Sequence, residues 1–241
     1  MENIAIVVPY FRRDGGVSEV ARFLYNYIKG SEKYRPSIVS LASSSTDGLS
    51  TRLLSPSSWF RGRKSQDRVH RGIKYTHFGC SLAEFEFLRY CPRAELTDVL
   101  NRYDLAQVVA GHPAWSLPVL KADIPVALQV ATLARLERAS DMITGYGLLR
   151  VWRILMTHLT HYLGQIALRR VEAVFVENKS MLDHVSTTAP STEVVFAPPG
   201  IDTKKYSPSE TPFGERDYIL SVGRFADRRK NVGLLFMRIR G

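Results

Sequence analysis

Short apolar runs alternate with amphipathic stretches along the first two hundred residues of the chain. Continuous runs of aliphatic and β-branched residues, without polar alternation, are typical of strands buried on both faces of a parallel sheet. The segments predicted as strands are Ile4–Val8, Arg35–Leu41, Gly72–His77, Leu105–Ala110, Pro125–Val130, Ala173–Val176 and Glu193–Ala197.

Between these runs, apolar residues recur every three or four positions, which predicts helices. The predicted helices are Val17–Ile28, Ala94–Asn101, Ala114–Lys121, Gly147–Val171 and Lys179–Ser186. Strands that alternate with helices predict an α/β fold built on a Rossmann-like, doubly wound parallel sheet. In such sheets, ligands bind beyond the carboxyl ends of the strands.

Two polar segments interrupt this alternation. Ala42–Ser58 is rich in Ser, Thr, Gly and Pro and predicts a mobile connection. Thr203–Asp217 carries Pro and Gly breakers and predicts an interdomain linker, after which Tyr218 opens a second α/β unit. We therefore expect a domain over residues 1–200, a linker over 201–217, and the incomplete start of a second Rossmann-like domain over 218–241.

The chain has 241 residues and a formal net charge of +10, and part of that excess lies in Arg61–Lys74. Such a basic run can contact the phosphates of nucleic acid or of anionic lipid. It has no interleaved aromatic residues and no nucleic-acid-binding motif, so a solvated loop is the ordinary interpretation. We do not expect nucleic acid among the partners.

Compartment signals are few. Cys80 and Cys91 fit no metal-ligand spacing and are expected to be free thiols in a reducing compartment. Met1–Tyr10 lacks a basic leader and predicts a first strand, and no apolar stretch approaches the ~20 residues that span a bilayer. We expect a cytoplasmic protein, at most peripheral at the inner face of a membrane. The helix Gly147–Val171 either packs on the sheet or offers an aromatic, basic surface to lipid.

Candidate phosphate chemistry lies at both ends of the chain. Gly15 and Gly16 stand between the first strand and the first helix, where glycine permits close approach of a ligand to free N–H groups. The full dinucleotide fingerprint is missing, which disfavours a nicotinamide cofactor, and the alternative for the glycine pair is a structural turn. Arg224 and Lys230 follow a predicted strand at the start of a helix, and together they supply two cations to an anion site. The alternative for this pair is a solvated basic loop.

The order of these motifs resembles the retaining glycosyltransferases of sequence family four, which have the GT-B fold of two Rossmann-like domains. The family pattern is Pro-Asn-Gly-Val-Asp, then Phe-x-Pro, Val-Gly-Arg and Lys-Asn. The corresponding segments here are Pro198–Asp202, Tyr206–Pro208, Val222–Arg224 and Lys230–Asn231, with Pro199, Ile201 and Tyr206 as substitutions.

The resemblance implies transfer of a hexose, with retention, from a nucleoside-diphosphate sugar to a glycan or lipid-linked acceptor. Arg224 and Lys230 would bind the donor diphosphate and stabilise the departing nucleotide. Gly15 and Gly16 would present N–H groups to the same phosphates. The N-terminal domain would bind the acceptor and the second domain the donor. The chain has no Asp-x-Asp triplet, so a metal-independent reaction without a cofactor is expected.

The chain departs from the family at two places. Where members carry a histidine after the strand at Pro125–Val130, this chain offers Gln129 and Thr132, and His112 is a further acceptor-side candidate, or else a loop histidine. The family's Glu-x7-Glu pair would fall beyond Gly241, for which truncation is the expected explanation. The alternative to an enzyme is a truncated, non-catalytic fragment or an interaction module.

Overall fold

The computed structural model describes residues 1–12, 15–139, 147–203, 206–208 and 234, and it contains one eight-stranded sheet. In chain order the strands are β1 Glu2–Pro9, β2 Tyr34–Leu41, β3 Ser65–His70, β4 Ile73–Phe78, β5 Leu105–Ala110, β6 Val126–Val130, β7 Ala173–Val176 and β8 Glu193–Phe196. All the strands predicted from the apolar runs are therefore present.

The sheet order is β3-β4-β2-β1-β5-β6-β7-β8, and every pairing is parallel except that of β3 with β4. The chain builds outwards from β1 in one direction through β2 and β4. It then returns to the other side of β1 with β5 and continues to β8. This arrangement confirms the predicted α/β fold with a doubly wound sheet.

Helices cover both faces of this sheet. The α-helices are α1 Gly16–Lys29, α2 Pro56–Arg61, α3 Ala94–Leu100, α4 Ala134–Glu137, α5 Gly147–Leu168 and α6 Lys179–Thr188, and short 3₁₀ helices span Glu86–Tyr90 and Pro113–Ser116. The predicted helix Ala114–Lys121 is thus only the second 3₁₀ turn, followed by further turns. Pro118 inside it removes an N–H donor that a continuous α-helix would need.

Alternate residues along the strands pack into two hydrophobic cores, one on each face of the sheet. On one face, Ile6, Val8 and Ile38 pack under α1. On the other face, Val7, Val108 and Leu128 belong to a larger core that includes side chains of α3, α5 and α6. Because the strands are buried on both faces, they lack polar alternation in the sequence.

The segment Ala42–Ser58, which is predicted as a mobile connection, packs in part into the body of the protein. Asp47 and Ser50 are buried, and the N–H of Thr51 donates to the carbonyl of Cys80. The segment ends in α2, which begins at Pro56. Within it, Ser50 Oγ donates to the Asp47 carboxylate and Ser58 Oγ to the carbonyl of Ser55.

The basic run Arg61–Lys74 forms a β-hairpin over half of its length, which corrects the interpretation as a solvated loop. Strand β3 pairs antiparallel with β4 through a two-residue turn in which Arg71 and Gly72 have φ of 47° and 78°. Positive φ at both positions defines the type of turn that matches the twist of a hairpin. The hairpin separates the basic side chains: Arg71 pairs with Glu19 on α1, while Arg68 lies on β3.

Both cysteines are free thiols, as expected, with Cys80 buried and Cys91 exposed. None of the helices in the described ranges is long and apolar enough to cross a membrane. The predicted second domain at 218–241 and most of the linker at 201–217 lie outside the described residues.

Candidate functional site

The direction of chain growth in the sheet reverses between β1 and β5, which are hydrogen-bonded neighbours. At such a reversal the loops after the two strands leave on opposite faces, so a crevice opens beyond their carboxyl ends. The loop after β1 leads to Gly15 and Gly16, and the loop after β5 holds Gly111 and His112. The topology therefore brings two of the predicted site segments to the same edge.

The Gly15–Gly16 pair lies at the N-terminus of α1 and is exposed. Gly15 is extended, with φ of 171°, and its carbonyl accepts the N–H of Glu19. A Cβ added at either glycine would meet no atom within 4 Å. The fold therefore does not itself require glycine at these positions, and the space beside the helix N-terminus is open to a ligand.

A polar pocket of about 730 Å³ opens beside this loop. Its wall combines the end of β1, the segment after β2, and the β3–β4 hairpin. Hydrogen-bonding side chains dominate the lining, with guanidinium groups from Arg12 and Arg68, phenols from Tyr10 and Tyr75, hydroxyls from Ser43, Ser44 and Thr46, and the amide of Gln66. Such a lining suits a ligand that has many hydroxyl groups and carries negative charge.

Asp47 forms part of the pocket floor through a buried polar network. Its carboxylate accepts hydrogen bonds from His77 Nε2 at 2.9 Å, from Ser50 Oγ at 2.9 Å and from the N–H of Leu49 at 3.0 Å. Burial alone would raise the pKa of Asp47, but these donors outweigh it and hold the pKa below its ordinary value. A charged, fully bonded carboxylate thus fixes the segment after β2 against β4.

Ser40, His77 and Asp47 make contacts in the same order as a hydrolase triad, with Ser40 Oγ 2.9 Å from His77 Nδ1. Ser40, however, is fully buried, and its Oγ accepts the N–H of Phe11 at 3.0 Å. A substrate has no route to that oxygen, so this network supports the pocket rather than supplying a nucleophile.

Tyr10 reaches the pocket from a backbone conformation that is uncommon for its residue type. Its φ is 54°, in the left-handed region. Its N–H donates to the carbonyl of Leu41, and its ring meets the His77 ring edge to face with centroids 5.7 Å apart. The polar network and Tyr10 are therefore mechanically linked, and strain of this kind is concentrated at functional sites.

His112 lies behind Tyr90 and Trp115 and is 4% exposed. Burial and the nearby Arg138 guanidinium lower its pKa to about 3, so the ring is neutral at physiological pH. Its Nε2 is 3.4 Å from the Tyr90 hydroxyl, and its Nδ1 has no hydrogen-bond partner within the described part of the chain.

Glu86 links this histidine to its surroundings. It accepts the Tyr90 O–H at 2.5 Å and two hydrogen bonds from Arg138, one at 2.9 Å. Burial opposes ionisation of Glu86, but Arg138 and Tyr90 together hold its pKa below the ordinary value. The cluster joins the 3₁₀ helix Glu86–Tyr90 to the loops after β5 and β6, and no open cavity adjoins His112 among the pockets that the structure describes.

The other two acceptor-side candidates lie on different surfaces. Gln129 is buried and lines an apolar groove of about 290 Å³ on the α1 face, together with Phe175 and Pro199. Thr132 is half-buried in the loop after β6, where its N–H donates to the carbonyl of Gly111 at 2.9 Å. The structure thus brings Thr132 next to the loop that carries His112, whereas Gln129 faces away from both.

Sequence reasoning missed the polar pocket and also Glu177, which follows β7 at the same edge of the sheet. Burial raises the pKa of the half-buried Glu177 carboxyl. Its position directly after a buried parallel strand is the signal in the sequence that points to Glu177. Arg224 and Lys230 lie outside the described residues, and within the described ranges no cluster of His, Cys, Asp or Glu could hold a metal ion.

No protein-family model and no curated protein matches the sequence. Among solved structures, the chain is similar to sucrose-phosphate synthase from Thermosynechococcus elongatus, with 11% sequence identity and a TM-score of 0.49. The match covers 87% of this chain and 51% of that one, so this chain spans about half the length of that structure. The assignment of the site therefore rests on the residues and geometry of this chain.

Proposed function

We propose that the protein is a retaining, metal-independent glycosyltransferase that transfers a hexose from a nucleoside-diphosphate sugar to a glycan or lipid-linked acceptor. The observation that carries the proposal is the polar pocket, which shares the β1–α1 loop with Gly15 and Gly16. The Val-Gly-Arg and Lys-Asn motifs near the C-terminus support it from the sequence.

In this proposal, residues 1–200 bind the acceptor, residues 201–217 link the domains and residues 218–241 begin the donor-binding domain. The pocket suits an acceptor whose hydroxyls bond to Ser43, Ser44 and Thr46 and whose negative substituent meets Arg12 or Arg68. His112 lies in the loop after β5 and Thr132 is hydrogen-bonded to that loop, at the switch between β1 and β5.

Catalysis is proposed to act on the leaving group. The bond between the anomeric carbon and the diphosphate breaks, a bond to the acceptor oxygen forms, and the proton of the acceptor hydroxyl passes to the departing diphosphate, on which negative charge develops. Arg224 and Lys230 would stabilise that charge from one side, and the open N–H groups at Gly15 and Gly16 from the other. Positioning of the acceptor in the pocket supplies the rest of the rate acceleration.

The test is release of nucleoside diphosphate from a panel of UDP-, GDP- and ADP-hexoses, with and without candidate acceptors. We expect Arg224→Ala and Lys230→Ala each to lower turnover by roughly 100-fold, the loss typical of removing a group that stabilises developing charge. Arg228→Ala is the matched control, because it removes a neighbouring cation that the motif does not require. Equal turnover in all three variants, or no release from any donor by the unmodified protein, would contradict the proposal.

A further inference from the structure

Large apolar side chains project from the segment that follows the polar pocket. Leu54 is 86% exposed, Trp59 55% and Phe60 94%. The segment is nonetheless fixed, because the indole N–H of Trp59 donates to the carbonyl of Arg52 at 2.6 Å and Ser58 is buried beneath it. These side chains are therefore held outwards by an ordered backbone.

The beginning of α5 forms a second exposed apolar patch. All residues from 147 to 153 are exposed, so the first two turns of the helix project from the body of the protein. Leu148 is 88% exposed and Leu149 69%, and Trp152 stands one turn further along. An amphipathic helix normally buries such residues against a core.

A chain of contacts links the two patches. The N–H of Leu53 donates to the Glu84 carboxylate at 3.0 Å, and the next residue, Phe85, meets the ring of Trp152 with centroids 6.4 Å apart. Glu84 and Phe85 therefore join the α2 region to α5. We call this the apolar-basic surface, and its members are Leu53, Leu54, Trp59, Phe60, Leu148, Leu149 and Trp152, with Arg61, Arg63, Lys64 and Arg153.

Positive charge borders the apolar residues. Arg61, Arg63 and Lys64 are exposed directly after Phe60, and Arg153 is exposed on α5. Two acidic groups of the described part of this region are engaged: Glu84 accepts the Leu53 N–H and lies 3.8 Å from Arg52, and Glu86 pairs with Arg138. The net charge of the whole chain, +10, has the same positive sign. The surface is thus complementary to a layer that is apolar inside and anionic at its boundary.

We propose that the apolar-basic surface docks the protein on an anionic lipid bilayer, with Trp59, Phe60 and the start of α5 inserted at the headgroup boundary. Exposed aromatic and aliphatic side chains with flanking Arg and Lys are the composition of interfacial helices. The segment that carries Trp59 also supplies Ser43, Ser44 and Thr46 to the polar pocket. Docking would therefore hold one end of a segment whose other end lines the pocket, whether or not the protein is a glycosyltransferase.

The test is co-sedimentation of the full chain with vesicles of phosphatidylcholine alone and of an equal mixture of phosphatidylcholine and phosphatidylglycerol. We expect binding to the mixed vesicles that weakens as salt is added. The double variant Leu54→Ser, Phe60→Ser removes the two most exposed apolar side chains of the segment 53–60 and is expected to bind at least about tenfold less. Both side chains are exposed, so the fold should persist, which circular dichroism checks.

Tyr162→Ser is the matched control, because it removes a 60% exposed aromatic from α5 far along the helix from Trp152. It should bind like the unmodified chain. Equal binding by the double variant, or no binding to the mixed vesicles, would overturn the proposal. A third outcome would also overturn it: the chain self-associates on a sizing column, the double variant does not, and neither binds vesicles. The surface would then bind a second copy of the chain.

Discussion

At the residue scale, Gly15 and Gly16 are glycines that the fold itself does not require. Glycine is often retained because its φ is positive or because a neighbouring group leaves no space for a Cβ. Neither reason applies here, since Gly15 is extended and both positions are open. In the proposed site, two glycines at the start of α1 would let the donor phosphates approach its N–H groups closely.

Gly16→Ala is therefore expected to weaken ligand binding without lowering the stability of the fold. The free energy of unfolding should stay the same or rise by up to about 1 kcal/mol, because alanine is the better helix former. Affinity for the nucleoside diphosphate should fall by roughly tenfold or more, because the methyl group separates the phosphates from N–H donors. Urea unfolding and calorimetric titration measure the two effects. Unchanged affinity would remove Gly16 from the site.

Asp47 gives the molecule a predictable response to acid. Its folded-state pKa lies below the unfolded value, so it contributes stability above the unfolded pKa of about 4 and loses it as pH falls through the folded pKa. Asp47→Asn should lower the free energy of unfolding at neutral pH by about 1.5–3 kcal/mol. The difference from the unmodified protein should shrink below about pH 4.

Urea titrations across that pH range measure this effect, and Asp98→Asn is the control, because Asp98 is an exposed carboxylate on α3. A difference between Asp47→Asn and the unmodified protein that is independent of pH would show that the lost contribution is packing and not charge.

At the scale of elements, the β3–β4 hairpin closes one wall of the polar pocket. Gln66, Arg68 and Val69 on β3 and Tyr75 on β4 all line it. The hairpin depends on its two-residue turn, in which Gly72 has φ of 78°. The conformation of one glycine therefore controls the geometry of several pocket residues.

Gly72→Ala is expected to destabilise the protein by about 1–2 kcal/mol, because an L-residue is strained at this φ. Gly48→Ala is the control, because Gly48 lies beside the pocket, has no positive φ and has open space around its Cα. Thermal unfolding should report a lower Tm for Gly72→Ala and little change for Gly48→Ala. Similar Tm values for the two variants would contradict the role given to the turn.

At the scale of the whole molecule, the apolar runs predict the sheet because burial on both faces leaves a strong, local signal. Leu105–Ala110 and Ala173–Val176 have the predicted bounds. The strand β3 was missed because an edge strand of sequence Ser-Gln-Asp-Arg-Val-His has no apolar periodicity. The adjacent pair Arg71–Gly72 was its one readable signal.

The site was less predictable than the fold, for a related reason. The position of Gly15 and Gly16 followed from local order along the chain, strand then glycines then helix. The pocket, in contrast, depends on Asp47 meeting His77 across 30 residues, and no local pattern encodes that pairing. The same long-range pairing turned a Ser- and Thr-rich segment into an ordered wall.

The central position of β1 has a consequence for synthesis on the ribosome. Strand β1 pairs with β2 on one side, but its other partner is β5, and the bond from the Asn3 N–H to the Asp104 carboxylate spans 101 residues. At about 5–20 residues per second, the interval before β5 is made is of the order of 5–20 s. During that interval one edge of the most apolar strand in the N-terminal region awaits its neighbour. This is the period in which a nascent chain has most need of a chaperone.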